Sequence, residues 1–199
     1  MLNGRAVTSE TSGSGEHPFT VCVFCASSDH VHRRYTEAAI ELAHEMAARS
    51  MRLVYGGGNN GLMGILSAHL HNAGGQVIGV IPRVLREMGF AYCDADEMIV
   101  TDDMRDRKTI MEKYADAFIG MAGGFGTLEE MLEIITLKQI GYHKKSVVFL
   151  NTDNFFSGLL DQLEKGYEEH FIDPRYRSLY SVAGSVQDAL AYIEAHHNT

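Results

Sequence analysis

The feature that most constrains the fold of this chain is a glycine-rich turn between an apolar run and a helical pattern. The apolar run covers residues 117–121, the turn covers 123–127, and apolar side chains recur at helical spacing over 131–138. A strand therefore leads through this central turn into the N-terminus of a helix. Such a turn leaves backbone N–H groups unpaired at the positive end of the helix dipole, and glycine lets an anion approach them closely.

The remainder of the chain alternates short apolar runs with amphipathic segments. Strands are predicted at 19–25, 52–55, 76–81, 97–101, 117–121 and 146–150. Helices are predicted at 35–50, 62–73, 104–114, 155–170 and 186–196, with one more after the central turn, whereas 83–96 shows only a short helix and a loop. This alternation predicts one α/β domain over 19–199, built on a Rossmann-like, doubly wound parallel sheet. Residues 1–18 are rich in Gly, Ser, Thr and Glu and are predicted to be a disordered tail.

Charge and composition exclude several classes of partner. The formal net charge of the 199 residues is −9, which disfavours a nucleic-acid or anionic-membrane surface. No apolar stretch approaches the roughly 20 residues that a membrane span needs. Three cysteines without a secretory signal predict a reducing, cytoplasmic location.

Cys22 and Cys25 have the Cys-x-x-Cys spacing of redox and metal sites. They fall in a predicted strand, however, where residues three apart point to opposite faces of the sheet. The sequence therefore favours two core cysteines. The ten histidines show no His-Glu-x-x-His pattern, so surface placement is expected and no metal site is predicted.

A second glycine-rich turn follows the second predicted strand. Gly57 and Gly58 belong to this turn, and Ser27 lies in the small turn after the first strand. In parallel sheets ligands bind at the carboxyl ends of the strands, so both turns and Ser27 are expected at one edge with the central turn. Two such turns at one edge favour a phosphate site. Ser27 is expected to donate hydrogen bonds, since no Ser-His-Asp arrangement surrounds it.

The central turn also admits an interpretation without a ligand. Thr127 and Glu130 have the spacing of a capping box, in which the two residues would close the end of the helix. The turn matches neither a Walker A loop nor a Gly-x-Gly-x-x-Gly fingerprint.

Arg107 and Glu130 are the two charged residues that could perform chemistry at this edge. Arg107 shares a helix face with apolar residues, which is costly unless an anion meets it. The alternative is an exposed pair with Asp103. Glu130 comes directly after the central turn. There a carboxylate could stabilise the positive charge that develops on a sugar during N-glycosidic cleavage, or orient the attacking water.

With these residues in view, the chain resembles the LONELY GUY family of cytokinin riboside 5′-monophosphate phosphoribohydrolases, often mislabelled as lysine decarboxylases. The resemblance covers 19–172 and is most specific at two motifs, 104–108 (Met-Arg-Asp-Arg-Lys) and 122–130 (Ala-Gly-Gly-Phe-Gly-Thr-Leu-Glu-Glu). It implies a homodimer with active sites near the subunit interface. It also implies hydrolysis of a nucleoside 5′-monophosphate to free base and ribose 5-phosphate without a cofactor.

The resemblance further implies roles for individual residues. Arg107 and Glu130 would be the catalytic pair. The residues implied to hold the substrate are Lys108, Gly123, Gly124, Phe125, Gly126, Thr127, Glu129 and Thr136. The family motifs have proline where this chain has Ala122 and histidine where it has Arg105. Alanine in place of proline is expected to loosen the entry to the turn.

Two other functions fit parts of the pattern. A carrier of a nucleotide or of molybdenum cofactor would have the same fold and the phosphate loop, but would need neither Arg107 nor Glu130. A lysine decarboxylase is poorly supported because no lysine in the sequence is identifiable as pyridoxal-binding. The base that the protein accepts stays open, since 83–96 fits the family poorly.

Overall fold

The computed structural model describes residues 18–196, which form seven strands and seven α-helices. The strands are β1 (Thr20–Phe24), β2 (Arg52–Tyr55), β3 (Val77–Pro82), β4 (Glu97–Thr101), β5 (Ala117–Gly120), β6 (Ser146–Leu150) and β7 (Ser181–Ala183). The helices are α1 (Arg33–Ala48), α2 (Gly61–Asn72), α3 (Arg83–Glu87), α4 (Met104–Tyr114), α5 (Phe125–Gln139), α6 (Ser157–Glu168) and α7 (Val186–His196). Two short 3-10 segments, Thr152–Asn154 and Pro174–Leu179, flank α6.

All seven strands belong to one parallel sheet. Their order is β4-β3-β2-β1-β5-β6-β7, and each neighbouring pair is parallel. Strands β1 to β4 follow one another from the centre of the sheet to one edge. Strand β5 then pairs with the other side of β1, and β6 and β7 continue to the opposite edge. The point where the direction reverses lies between β1 and β5, where open α/β sheets form a crevice at their carboxyl edge.

Helices cover both faces of the sheet, which confirms the predicted doubly wound architecture. One apolar layer packs α1, α2 and α7 against the sheet, and the other packs α4, α5 and α6 against the opposite face. The central strands are buried on both sides, which explains their nearly continuous apolar sequences. Cys22 belongs to one layer and Cys25 to the other, as the alternation of a strand predicts.

Several element boundaries differ from the sequence-based prediction. Strand β7 was not predicted, since three residues are too few to show a period. Helix α5 begins at Phe125, inside the central turn, so the glycine-rich sequence is partly helical. The predicted tail covers residues 1–18, of which 1–17 lie outside the described residues. Among the helices of 18–196, none combines the length and the hydropathy that a membrane crossing requires.

Candidate active site

A cavity of about 480 Å³ lies at the carboxyl edge of the sheet, across the point where the strand order reverses. Residues after β1, β2, β3 and β5 line it, together with the start of α4. The predicted site residues among its lining are Ser27, Gly58, Arg107, Gly124, Phe125, Gly126, Thr127 and Glu130. The structure therefore brings together residues that are up to about a hundred positions apart in the chain.

The N-terminus of α5 faces this cavity with its backbone donors free. Gly124 occupies the N-cap position, and no side chain caps the helix. Within residues 18–196, the N–H groups of Phe125, Gly126 and Thr127 have no hydrogen-bond acceptor. Gly123 lies just behind them, where a Cβ atom would overlap the Thr127 side chain. Unpaired donors at a helix N-terminus are suited to a phosphate.

The N-terminus of α2 is different, because its first backbone N–H groups donate to oxygen atoms of the protein itself. The Gly61 amide donates to Asp29 Oδ1 at 2.7 Å, and the Leu62 and Met63 amides donate to the Ala26 carbonyl oxygen at 2.9 and 3.4 Å. The first amides of α2 are therefore not available to a phosphate, and Gly58 is the predicted residue of this turn that lines the cavity. Gly57 has a φ of 72° and is not among the residues that line the cavity.

Arg107 projects from α4 into the cavity wall and is 7% exposed. Its Nε atom donates to the Val80 carbonyl oxygen at 3.1 Å, and its Nη1 atom donates to Glu130 Oε1 at 2.6 Å. The predicted anion partner of Arg107 is thus a carboxylate of the same chain. Asp103 instead caps α4, accepting the Arg105 and Asp106 amides, so the Asp103–Arg107 alternative is wrong.

Gly56 allows Arg107 to lie flat against the end of β2. A Cβ atom built on Gly56 would overlap the Nη2 atom of Arg107. The guanidinium is consequently fixed from three directions, by the Val80 carbonyl, the Glu130 carboxylate and the bare backbone of Gly56. Gly56 was not among the predicted site residues, because nothing in a run of three glycines indicates which one faces a side chain.

Glu130 lies in the second turn of α5 and is 8% exposed. It makes no capping box with Thr127, since α5 starts two residues before Thr127. Burial raises the pKa of the Glu130 carboxyl above its ordinary value, and the adjacent Arg107 guanidinium opposes part of that rise. The buried ion pair therefore places a negative charge in the cavity wall close to the free amides of α5.

Besides Gly57 and Gly123, three predicted substrate residues lie outside the cavity lining: Lys108, Glu129 and Thr136. Lys108 Nζ contacts Glu129 Oε1 at 2.5 Å and Glu133 Oε2 at 2.8 Å, which links α4 to α5. The Thr136 hydroxyl is exposed and donates to the Leu132 carbonyl oxygen at 2.7 Å. Within this one chain, Lys108, Glu129 and Thr136 therefore do not meet the cavity that holds Arg107 and Glu130.

An apolar wall closes the cavity on the side of β3. It consists of Ile81 in β3, Leu85 and Phe90 in the segment after β3, and Met104 at the start of α4, with Met63 of α2 beside the β2 glycines. Leu85 and Phe90 were not predicted as site residues, because the mixed segment 83–96 shows no period that would place them. Their loop is held by main-chain hydrogen bonds to the β2 turn, from the Asn59 amide to the Phe90 carbonyl and from the Tyr92 amide to the Gly57 carbonyl.

Ala122, which replaces the motif proline, is well fixed. It is buried, and its carbonyl oxygen accepts the Ala26 amide at 3.1 Å, which continues the β1–β5 pairing beyond the strands. This contact ties the entry of the central turn to the loop after β1. Arg105 is exposed at the start of α4, beside the cavity residue Met104.

Comparisons with known proteins show both sequence relatives and structural neighbours. A family model described as possible lysine decarboxylase matches residues 63–193. The cytokinin riboside 5′-monophosphate phosphoribohydrolase LOG5 of Arabidopsis thaliana is 42% identical over 176 residues, covering 88% of this chain and 77% of that protein. The probable cytokinin riboside 5′-monophosphate phosphoribohydrolase LOGL6 of Oryza sativa subsp. japonica is 43% identical, covering 88% of this chain and 70% of that protein.

The structural neighbours include molybdenum-cofactor proteins. The molybdenum cofactor binding protein of Rippkaea orientalis has a TM-score of 0.70 and 22% identity, covering 90% of this chain and 98% of that chain. The Moco carrier protein of Chlamydomonas reinhardtii has a TM-score of 0.67 and 23% identity, covering 90% and 97%. At this identity the likeness extends to the fold alone.

Proposed function

This chain belongs to the LONELY GUY family, and we propose that it hydrolyses the N-glycosidic bond of a purine nucleoside 5′-monophosphate of the cytokinin type. The products are the free base and ribose 5-phosphate. The observation that carries the proposal is the buried Arg107–Glu130 pair, which lies in the same cavity as the unpaired amides of α5. The relatives at 42% and 43% identity, named as phosphoribohydrolases, support the same activity.

The geometry supplies each group that this hydrolysis needs. The free N–H groups of 125–127 bind the 5′-phosphate at the positive end of the α5 dipole. As the bond between C1′ and the base nitrogen breaks, its electron pair leaves with the base and positive charge develops on the sugar. The Glu130 carboxylate stabilises that charge and orients a water molecule. The water oxygen bonds to C1′, and its released proton balances the charge on the departing base.

Arg107 serves this reaction by fixing the carboxylate. Its Nη1–Glu130 contact of 2.6 Å and its Nε–Val80 contact of 3.1 Å leave the carboxylate little freedom to rotate. A buried guanidinium also favours the ionised form of Glu130, against the effect of burial on its pKa. A carrier would need no such pair, and the carrier structures share only the fold with this chain. Among residues 18–196, no lysine lines the cavity, which disfavours a pyridoxal-dependent decarboxylase.

The direct test is incubation of the purified protein with a panel of nucleoside 5′-monophosphates and the matching nucleosides. We expect base release, measured by chromatography, from AMP or its N6-substituted derivatives. The matching nucleosides should react far more slowly, since they lack the phosphate that the α5 amides bind. Nucleosides that react as fast as their monophosphates would contradict the proposed phosphate site, and no base release from any nucleotide would contradict the proposed activity.

We also propose a homodimer with its active sites near the interface. The outer side of α5 and the loop after it expose apolar residues, with Ile140 at 60% and Tyr142 at 76%, and Phe125 at the cavity mouth is 94% exposed. Burial of this surface by a second copy would place Thr136 and Lys108 at the interface, near a site that they do not reach within one chain. Analytical ultracentrifugation should give twice the monomer mass. Replacement of Tyr142 by Glu should shift the protein towards the monomer, whereas an unchanged dimer would rule out this surface.

The proposed location is the cytoplasm, with no nucleic-acid partner. All three cysteines are unpaired, as a reducing compartment favours. The net charge of −9 opposes binding to a phosphate backbone.

A further inference from the structure

Asn60 lies at the N-cap of α2 but does not cap it. Asparagine is among the preferred N-cap residues because its side-chain oxygen accepts an amide of the first helical turn. In this helix the Asn60 side chain makes no capping hydrogen bond. The amides that it would serve, those of Leu62 and Met63, already donate to the Ala26 carbonyl. The Asn60 carboxamide therefore stands at a cap position without performing the function of a cap.

Asn60 is instead one of the residues that line the cavity. It is half-buried, and it belongs to the same cavity wall as Ser27. The hydrogen bonds to Ala26 draw the start of α2 against the loop after β1, so that Asn60 and Ser27 come from adjacent loops. Its neighbour Asn59 differs, because the Asn59 carboxamide donates to the Gly89 carbonyl oxygen at 3.3 Å. Of these two asparagines, Asn60 is the one with a side chain available to a ligand.

The order of the strands indicates which part of the substrate Asn60 meets. The phosphate site follows β5, and Ile81, Leu85 and Phe90 of the apolar wall belong to β3 and the segment after it. The loops bearing Ser27 and Asn60 follow β1 and β2, which lie between β5 and β3. Neighbouring strands are about 4.8 Å apart, so a mononucleotide that lies along this edge crosses the strand ends in sequence. With the phosphate over β5 and the base against the apolar wall, the sugar lies over the β1 and β2 loops.

We propose that Asn60 recognises the vicinal 2′- and 3′-hydroxyls of the substrate ribose and so selects ribonucleotides over 2′-deoxyribonucleotides. A carboxamide offers an acceptor and a donor side by side, which suits two adjacent hydroxyls, and Ser27 adds a third group. Asn60 thus determines the sugar specificity of the proposed hydrolase, on which this inference rests. The apolar wall has no comparable polar group among Met63, Ile81, Leu85, Phe90 and Met104, so the sugar side carries this discrimination.

The test compares AMP with 2′-deoxy-AMP in the parent protein and in Asn60→Ala. Turnover is measured as kcat/KM, and affinity by calorimetry in a Glu130→Gln background that holds the nucleotide without cleaving it. We expect the parent to prefer AMP. We expect Asn60→Ala to reduce that preference about three- to tenfold, the effect of one lost neutral hydrogen bond, by weakening AMP and leaving 2′-deoxy-AMP nearly unchanged. An equal preference in parent and variant would overturn the proposal.

Two controls separate recognition from folding. Asn72→Ala changes an exposed asparagine at the other end of the same helix and should leave the preference at the parent value. Asn60→Ala should melt close to the parent, because Asn60 makes no capping hydrogen bond. If Asn60→Ala melts at a lower temperature than the parent, the test uses Asn60→Ser, which keeps a favoured N-cap residue. A preference of Asn60→Ser for AMP over 2′-deoxy-AMP below that of the parent supports the proposal, and an equal preference overturns it. If the parent releases no base, the proposed activity is wrong. The ratio of the affinities for AMP and 2′-deoxy-AMP, compared with and without Asn60→Ala, then still shows whether Asn60 recognises the ribose.

Discussion

Glu130→Gln is expected to lower kcat by at least about a hundredfold while nucleotide binding persists. Glutamine has nearly the same shape, and its carbonyl oxygen can still accept the hydrogen bond from Arg107 Nη1 that Glu130 accepts at 2.6 Å. It lacks the negative charge that would stabilise the cationic sugar. Single-turnover base release and calorimetric binding of AMP, measured on the same sample, separate the two effects.

The same substitution should also reduce stability. It leaves the Arg107 guanidinium, 7% exposed, without its counter-charge, and removing one partner of a buried pair costs up to about 3–5 kcal/mol. Glu133→Gln is the matched control. Glu133 lies one turn further along α5 and contacts Lys108 outside the cavity, so its loss should leave kcat near the parent value. If Glu130→Gln retains the parent kcat, the carboxylate is structural and the proposed mechanism is wrong.

Gly56→Ala is expected to impair catalysis although neither Arg107 nor Glu130 is replaced. The added methyl group would occupy the position of Arg107 Nη2, so the guanidinium has to move away from Gly56 and from its contact with Glu130. A displacement of about 1 Å at a reacting group can cost about a hundredfold in rate. Overpacking of a buried site should also lower the free energy of unfolding by about 1–3 kcal/mol. Steady-state kinetics and thermal melting measure the two effects.

A double-mutant cycle shows whether the effect passes through Arg107. Arg107→Ala should abolish turnover by itself and also empty the space that Gly56→Ala needs. In that background Gly56→Ala should therefore cause little further loss of stability, so the effects of the two changes on the free energy of unfolding should be strongly non-additive. Additive losses would show that Gly56 acts independently of Arg107. Gly158→Ala, at a helical position with open space around it, should leave the rate unchanged.

The sequence predicted the scaffold well because buried parallel strands and amphipathic helices have strong periods. Strands β1 to β6 and the helices between them were predicted from apolar runs and from the glycines that mark the ends of these elements. Arg107 was singled out because a charge in an apolar stripe needs an anion, and Glu130 because a carboxylate after the central turn could act on a sugar. That they are each other's partner depends on the packing of α4 against α5, which no local pattern encodes.

Other features of the site were misjudged for identifiable physical reasons. The Thr127–Glu130 spacing suggested a helix cap, but α5 begins at Phe125 and leaves its first amides open. At the second glycine turn, the Ala26 carbonyl and the Asp29 carboxylate fill the first donors of α2, so the two helix N-termini at this edge are not equivalent. Whether a helix terminus is open depends on residues distant in sequence, and a single sequence does not reveal them.

The loop after α3, which carries Phe90 of the apolar wall, is joined to the β2 turn by two main-chain hydrogen bonds, Asn59–Phe90 and Tyr92–Gly57, which together form the bridge between Gly58 and Ala91. Hydrogen bonds between main-chain atoms do not depend on which side chains the loop carries. Leu85 and Phe90 can accordingly be exchanged for larger, smaller or more polar residues while the loop stays in register. Divergence towards new bases would then require only a few substitutions in 83–96, with the phosphate end and the Arg107–Glu130 pair left intact.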